Sequence, residues 1–244
     1  FFDSKKKIYK QADEFLKNNK VDCILVTGEP FILFHYAYKL GRKYNTPYIL
    51  DYRDGWSTDH AKKNGIQKLV TRFEFKREKR VLKNALLSTA ASPEIIRMND
   101  DLFEANNGYY HPNGTDISVI EEIRKLPKSN PTDAFIICFT GSIYNPHNVQ
   151  SYLTAVEGLI NDGNYHNLKI QFIGIELKPS NGTELINQFL QKHPNHCEIV
   201  KPVSYEKSVE YQFNADLLLK FDYTGQASGL MGAKLYEYAA TKKP

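Results

Sequence analysis

The segment Gly229-Leu-Met-Gly232-Ala233-Lys234-Leu-Tyr-Glu237 combines a glycine-bearing loop, an expected helix start and one carboxylate in an otherwise apolar turn. Glycines let main-chain N–H groups approach an anion, and the partial positive charge at a helix N-terminus favours that anion. Lys234 adds a full charge, and Glu237 can accept two hydrogen bonds from the hydroxyls of a ribose. This is chemistry suited to a sugar phosphate. The alternative is a glycine turn leading into a surface helix whose glutamate is solvated.

A second cluster is Asp51-Tyr-Arg53-Asp54-Gly-Trp56-Ser-Thr-Asp-His60. An aromatic face beside carboxylates and a guanidinium suits a sugar or phosphosugar, and Asp54 or His60 could serve as general base toward a hydroxyl. The alternative is structural: Arg53 and Asp51 form an ion pair and Trp56 plugs the edge of a domain. His60 is expected at the surface. His193-Pro-Asn-His196-Cys197 looks like a metal cluster, but the proline breaks the helix that would align the imidazoles, so no metal is expected there. His35 lies on a mostly apolar helix and is expected to be a satisfied core histidine. Nucleophile-elbow, P-loop and strand-linked dinucleotide motifs are missing from the sequence.

Short apolar runs alternating with amphipathic stretches must position these clusters, and that alternation is the pattern of parallel sheets joined by helices. Strands are expected at 22–27, 47–51 and 85–89, and again at 134–140, 168–174, 197–200 and 215–221. An opening helix is expected to bury Ile8, Ala12, Phe15 and Leu16, and a further helix to start at Pro30. A charged helix over 66–83 is expected to turn Leu69, Phe73 and Val81 inward and Arg72, Lys76, Arg77 and Arg80 outward. Between 117 and 133 the pattern gives way to a charged, proline-containing stretch. The expected organisation is therefore α/β in two parts: residues 1–125, a linker at 126–133, and residues 134–244. Ligands of open parallel sheets bind beyond the carboxyl ends of the strands. In the second part those ends carry Gly141 and Ser142, Gly174, Lys201 to Ser204, Phe221 and Asp222, and the Gly229 to Glu237 loop. Gly141 and Ser142 are expected to offer backbone N–H groups and a hydroxyl to a phosphate.

The 244 residues, 41% hydrophobic and 25% charged, suffice for one large core or two smaller ones. A net charge of +4 is mildly basic and is spread over helix faces. Without a binding motif beside it, nucleic acid is not an expected partner; a mildly basic face equally suits phosphorylated substrates or an anionic membrane surface. Cys23, Cys138 and Cys197 read as buried free thiols of a reducing compartment. No apolar run approaches a bilayer span, so any membrane contact is expected to be peripheral. The chain begins at Phe1 and stops at Lys242-Lys-Pro244, and is expected to be a fragment, incomplete at both ends.

In this order the residues resemble GT-B-fold glycosyltransferases of the large retaining group called group 1 or family 4. The resemblance is carried by Val21 to Pro30, Pro47 to Trp56, Tyr110 to Asp116, Phe139 to Tyr144, Ala215 to Leu219 and Lys234 to Ala240. It implies two Rossmann-like domains, the N-terminal one on the acceptor side and the C-terminal one holding a nucleotide-sugar donor. Glu237 matches the glutamate that binds the donor ribose, and Gly232, Ala233 and Lys234 match the loop beside the diphosphate. Such enzymes need no bound divalent metal and no further cofactor. Two departures stand out: Gly229 occupies the position of a second glutamate, and the sequence after Gly141 and Ser142 lacks an Arg and Lys pair. Phosphate charge is then expected to be met by Lys234 or Lys220.

The resulting expectation is transfer of a sugar from a UDP- or GDP-sugar to a sugar or lipid-linked glycan acceptor. Asp54 and Arg53 are the candidate catalytic pair, in a cytoplasmic protein that touches the inner face of the membrane during bacterial surface-polysaccharide or lipid-linked glycan assembly. The alternatives are a nucleotide-sugar epimerase of the same fold and a non-catalytic nucleotide-sugar-binding module.

Overall fold

The structure is a computed structural model describing residues 5–56, 66–127, 133–144, 147–163, 165–175, 180–221 and 232–244, with residues 66–71 as backbone. His60 and Gly229 lie outside the described residues. Contacts divide the chain into one unit spanning Phe1–Asn113 and another spanning Gly114–Gln226 with Gly232–Pro244.

The first unit runs α1 (Lys6–Asn18), β1 (Ile24–Thr27), α2 (Ile32–Tyr44), β2 (Tyr48–Tyr52), α3 (Ile66–Lys83), β3 (Leu87–Ala90), α4 (Pro93–Phe103) and β4 (Gly108–Tyr110). The strands form a parallel sheet in the order β1-β2-β3-β4, so the chain advances steadily in one direction. Ser92 accepts from the Glu94 N–H at the start of α4, where Pro93 supplies the preset φ of a first helical turn. Phe34, Leu50, Tyr52, Trp56, Leu82 and Phe103 form its core. Fully burying one such side chain is worth about 1.5–3 kcal/mol.

Three expectations change here. α1 has no buried residue, and Ile8 and Phe15 are 47% and 56% exposed. Tyr9 instead lays its ring against Tyr36 at 5.0 Å, which rotates the inward face of the helix. On α3, Phe73 is 65% exposed, while Phe75 packs on Phe103 and Glu78 is buried. The Tyr52 hydroxyl donates to Glu78 Oε1 at 3.3 Å, so a partner turns inward a carboxylate that helical periodicity assigns to solvent. β4 was not expected at all: three residues are too short for a period-2 signal.

The second unit runs α5 (Ile117–Arg124), β5 (Phe135–Thr140), α6 (Val149–Asn161), β6 (Leu168–Ile173), α7 (Asn181–Lys192), β7 (Cys197–Val200), α8 (Tyr205–Asn214), β8 (Leu217–Leu218) and α9 (Ala233–Thr241). Its parallel sheet has the order β7-β6-β5-β8. The chain therefore steps from β5 to β7 in one direction, then returns to place β8 on the other side of β5. That reversal is a topological switch point between β5 and β8. One face of the sheet packs Phe139, Ile170 and Phe172 against Val149, Leu153 and Ile186 of α6 and α7. The other sets Ile136, Cys138 and Ile173 against Tyr211 of α8. Asn148, Ser180 and Ser204 cap α6, α7 and α8 through their side chains.

Helix α5 belongs with the second unit, whereas the expected boundary fell after residue 125. Ile120 and Ile123 are buried against Val209, with Phe213 and Ala240 packed around them. Arg124 donates to the Ala240 carbonyl at 2.7 Å. The expected strand at 215–221 is paired only over Leu217 and Leu218.

Candidate functional site

The carboxyl ends of β5 and β8 flank the switch point, where an α/β sheet leaves room for a ligand. β5 ends in Thr140 and Gly141. Gly141 has φ of +119°, and a Cβ there would lie 3.7 Å from Lys234 Cε. The conformation favours glycine, and the Lys234 side chain passes within ordinary contact distance of this position. The Gly141 N–H donates to the Ile173 carbonyl at 2.9 Å. It continues the sheet ladder and is not offered to a phosphate, which corrects the expectation for that group. Ser142 is half-buried directly after it, and Lys220 is half-buried beyond β8 on the same edge of the sheet.

Gly232 is the N-cap of α9 and lends no side chain to the helix start; Gly232 and Ala233 are both exposed. Helix periodicity then puts Lys234 and Glu237 on one face. Lys234 Nζ donates to Glu237 Oε1 at 2.8 Å, with the Lys234 side chain 38% exposed and that of Glu237 11% exposed. Gln212 Nε2 donates to the same Glu237 oxygen. Among the described residues no donor reaches Oε2. Glu237 is thus a buried carboxylate and not the solvated glutamate of the structural alternative, and among the described residues both of its donors meet Oε1.

Three members of this group, Gln212, Thr140 and Tyr238, carried no site role in the sequence. Gln212 is completely buried, and its Nε2 also lies 3.3 Å from Thr140 Oγ1. The Tyr238 hydroxyl accepts the Thr140 N–H at 3.0 Å and sits 3.2 Å from Thr140 Oγ1. Burial pushes the Tyr238 phenol up to about 12, so it remains protonated as a hydrogen-bonding group. The available signal was register: Gln212 lies three residues beyond Val209, on the buried face of α8.

In the first unit the structural alternative is realised for Asp51, Arg53 and Trp56. Asp51 Oδ2 accepts from Arg53 Nε at 2.8 Å, and Oδ1 accepts from Thr89 Oγ1 at 2.7 Å. Arg53 Nη1 also reaches Asn113 Oδ1 at 3.2 Å and the His111 carbonyl at 3.4 Å. Trp56 is 6% exposed and stacks on Phe31 at 5.4 Å. Among the described residues of the cluster, Asp54 alone is exposed.

His193 Nε2 lies 3.1 Å from Glu157 Oε1 and His196 Nδ1 lies 2.8 Å from the Leu168 carbonyl, so the two imidazoles face different partners. Among the described residues no group of three His, Cys, Asp or Glu side chains could hold a metal ion. His35 is not satisfied as expected: its Nδ1 is buried with no hydrogen-bond partner among the described residues. Burial first, then the charges of Arg77, Lys39 and Arg80, hold its pKa at about 4. Cys138 and Cys197 are buried and Cys23 is half-buried, all three as free thiols. Among the described residues no helix is long and apolar enough to cross a membrane.

No protein-family model matches the sequence, and no curated protein is significantly similar to it. Solved structures are similar. Sucrose-phosphate synthase from Thermosynechococcus elongatus aligns over 100% of this chain and 61% of its own, at 14% identity and a TM-score of 0.67. HepE from Anabaena, in complex with UDP, aligns over 98% of this chain and 61% of its own, at 14% identity and 0.64. A glycosyltransferase from Rickettsia africae aligns over 100% of this chain and 63% of its own, at 13% identity and 0.72. The chain thus spans about three fifths of the length of these neighbours. At such identities the likeness is one of fold, and it agrees with the observed sheets: the chain has two Rossmann-like α/β units of the GT-B type.

Proposed function

We propose that the protein is a glycosyltransferase that moves a sugar from a nucleoside-diphosphate sugar, UDP- or GDP-linked, to the hydroxyl of a sugar or lipid-linked glycan. The observation carrying this reading is the convergence of Gly141, Lys234 and Glu237 at the switch point of the second sheet. Proteins of this fold have been solved with UDP and, for the trehalose-6-phosphate enzyme of E. coli, with UDP-2-fluoro glucose, which supports a nucleotide-sugar ligand.

In this reading Glu237 Oε2 accepts from the ribose hydroxyls. Lys234 and the exposed Gly232–Ala233 start of α9 meet the diphosphate, with Ser142 and Lys220 as further contacts on the same edge. As the glycosidic bond breaks, charge grows on the diphosphate, and a cation and a helix N-terminus aimed at it lower the barrier without a metal ion. Lys234 exchanges part of its bond with Glu237 for the phosphate. Asp54 is the acceptor-side group, and Arg53 positions it by bracing the end of β2. The three free thiols suit a reducing cytoplasm. We propose a peripheral role at the inner membrane face in bacterial surface-polysaccharide or lipid-linked glycan assembly.

Titration of UDP and GDP into the full-length protein tests the site. Glu237→Ala is expected to weaken the better ligand by about 1.5–3 kcal/mol, the scale of hydrogen bonds to a charged group. Equal affinity in a folded Glu237→Ala protein overturns the assignment. Sugar release from the matching nucleotide sugar onto an added acceptor then separates transfer from binding alone.

A further inference from the structure

We propose that Gln212 is the positioning residue of this site: its buried amide locks one oxygen of Glu237 so that the other is presented to the ribose diol. The proposal rests on the nucleotide-sugar reading above and goes beyond it by naming a residue that touches no ligand.

Gln212 is 0% exposed and shares the buried face of α8 with Val209, also 0% exposed. An apolar side chain is the ordinary occupant of such a position, because an amide must leave water to enter it. The orientation of the amide follows from its neighbour. A carboxylate only accepts, so the Gln212 nitrogen, and not its oxygen, must face Glu237. The same nitrogen reaches Thr140 Oγ1. Gln212 Oε1 is left buried without a partner among the described residues. The amide therefore satisfies the acid at the expense of its own acceptor, an arrangement that lowers stability and is explained by what it holds in place.

What it holds is referenced to the end of β5. Thr140 is bonded to Gln212 on one side and to Tyr238 on the other, and Tyr238 adjoins Glu237 in the chain. Strand β5, helix α8 and helix α9 are joined through one buried polar network. The two donors on Glu237 Oε1 differ in kind. Lys234 is partly exposed and can turn to a phosphate, whereas Gln212 is enclosed and stays. The carboxylate keeps its orientation when the lysine leaves, which is the condition for a preorganised sugar contact.

The test compares binding of three probes to the full-length protein: UDP or GDP, whichever binds better, its 2′,3′-dideoxy analogue, and inorganic pyrophosphate. The wild type is expected to favour the ribonucleotide by at least about tenfold. Gln212→Met keeps the volume and removes the donor; it is expected to erase most of that preference, as Glu237→Ala does, while pyrophosphate binding is unchanged. Gln212→Asn, which keeps an amide one methylene too short to reach both partners, gives the same reading if the Met variant does not fold. A ribose preference retained in either folded variant overturns the proposal. So does a parallel loss of pyrophosphate binding, which would mark Gln212 as a general structural residue. A wild type that binds no nucleotide, or ignores the ribose hydroxyls, overturns the underlying nucleotide-sugar reading instead.

Discussion

The ends of β2 and β5 make an instructive pair. Asp51 pairs with Arg53 at the end of β2, and on α9 Glu237 pairs with Lys234, whose side chain passes the end of β5 at Gly141, so each strand end has an acid and a cation beside it. At the end of β2 both oxygens of Asp51 are taken, by Thr89 and by Arg53, and the Trp56 indole is stacked inside the core. At the β5 end, both donors converge on a single oxygen of Glu237. Topology separates them too. The first sheet runs on in one direction, whereas the second reverses beside β5 and opens a switch point there. A cluster of chemically able residues becomes a candidate site when hydrogen-bonding capacity remains and the sheet leaves space for a ligand. By both measures the second unit carries the candidate site, whereas Asp51 and Arg53 in the first are taken up by each other, Thr89 and Asn113.

The sharpest way to break this contrast is at Trp56. Trp56→Ala is expected to cost the first unit about 3–5 kcal/mol, read from chemical denaturation. A variant of unchanged stability that no longer uses an acceptor would make the indole a sugar platform after all. Asp51→Asn comes next, with an expected loss of about 2 kcal/mol of stability, because Arg53 and Thr89 lose a charged partner. Lys234→Met probes the other side: nucleotide affinity is expected to fall by about 1 kcal/mol with a shallower salt dependence, and folding is expected to be little affected. An unaffected affinity would leave the second unit with no more of a site than the first.

The smallest effect distinguishes the units by acid. His35 is held at about 4, below its ordinary 6.5, so the unfolded chain takes up a proton before the folded one does. Its contribution is present above about 6.5 and is lost as pH falls toward 4. After allowance for solvent screening this amounts to about 1 kcal/mol. His35→Leu is expected to remove that slope from the denaturation of the first unit between pH 6.5 and 4; an identical slope in the variant contradicts the assignment.

Much of this fold was legible because local rules carry it. Of the eight strands among the described residues, six fall close to the apolar runs, and β7 coincides with Cys197–Val200. Serine and asparagine caps mark where several helices begin. Boundaries between units were less legible, since α5 looks like linker until its isoleucines meet Val209. Helix faces were misread where two registers compete. On α3, Phe73 and Phe75 are both large and apolar, and the register that packs Phe75 on Phe103 also buries Glu78, which accepts from the Tyr52 hydroxyl.

By itself the sequence determined the α/β class, the succession of two units, and the nine-residue stretch in which Glu237 follows Gly229. Periodicity and chain chemistry are local, and a window of ten residues contains them. Only the tertiary structure decided what these groups are free to do. Asp51 was spent on Thr89, the Gly141 N–H on Ile173, and one oxygen of Glu237 on Gln212, a residue 25 positions away. Hydrogen-bond valence is used up by partners that folding brings together, so residual capacity for a ligand is a property of the folded chain.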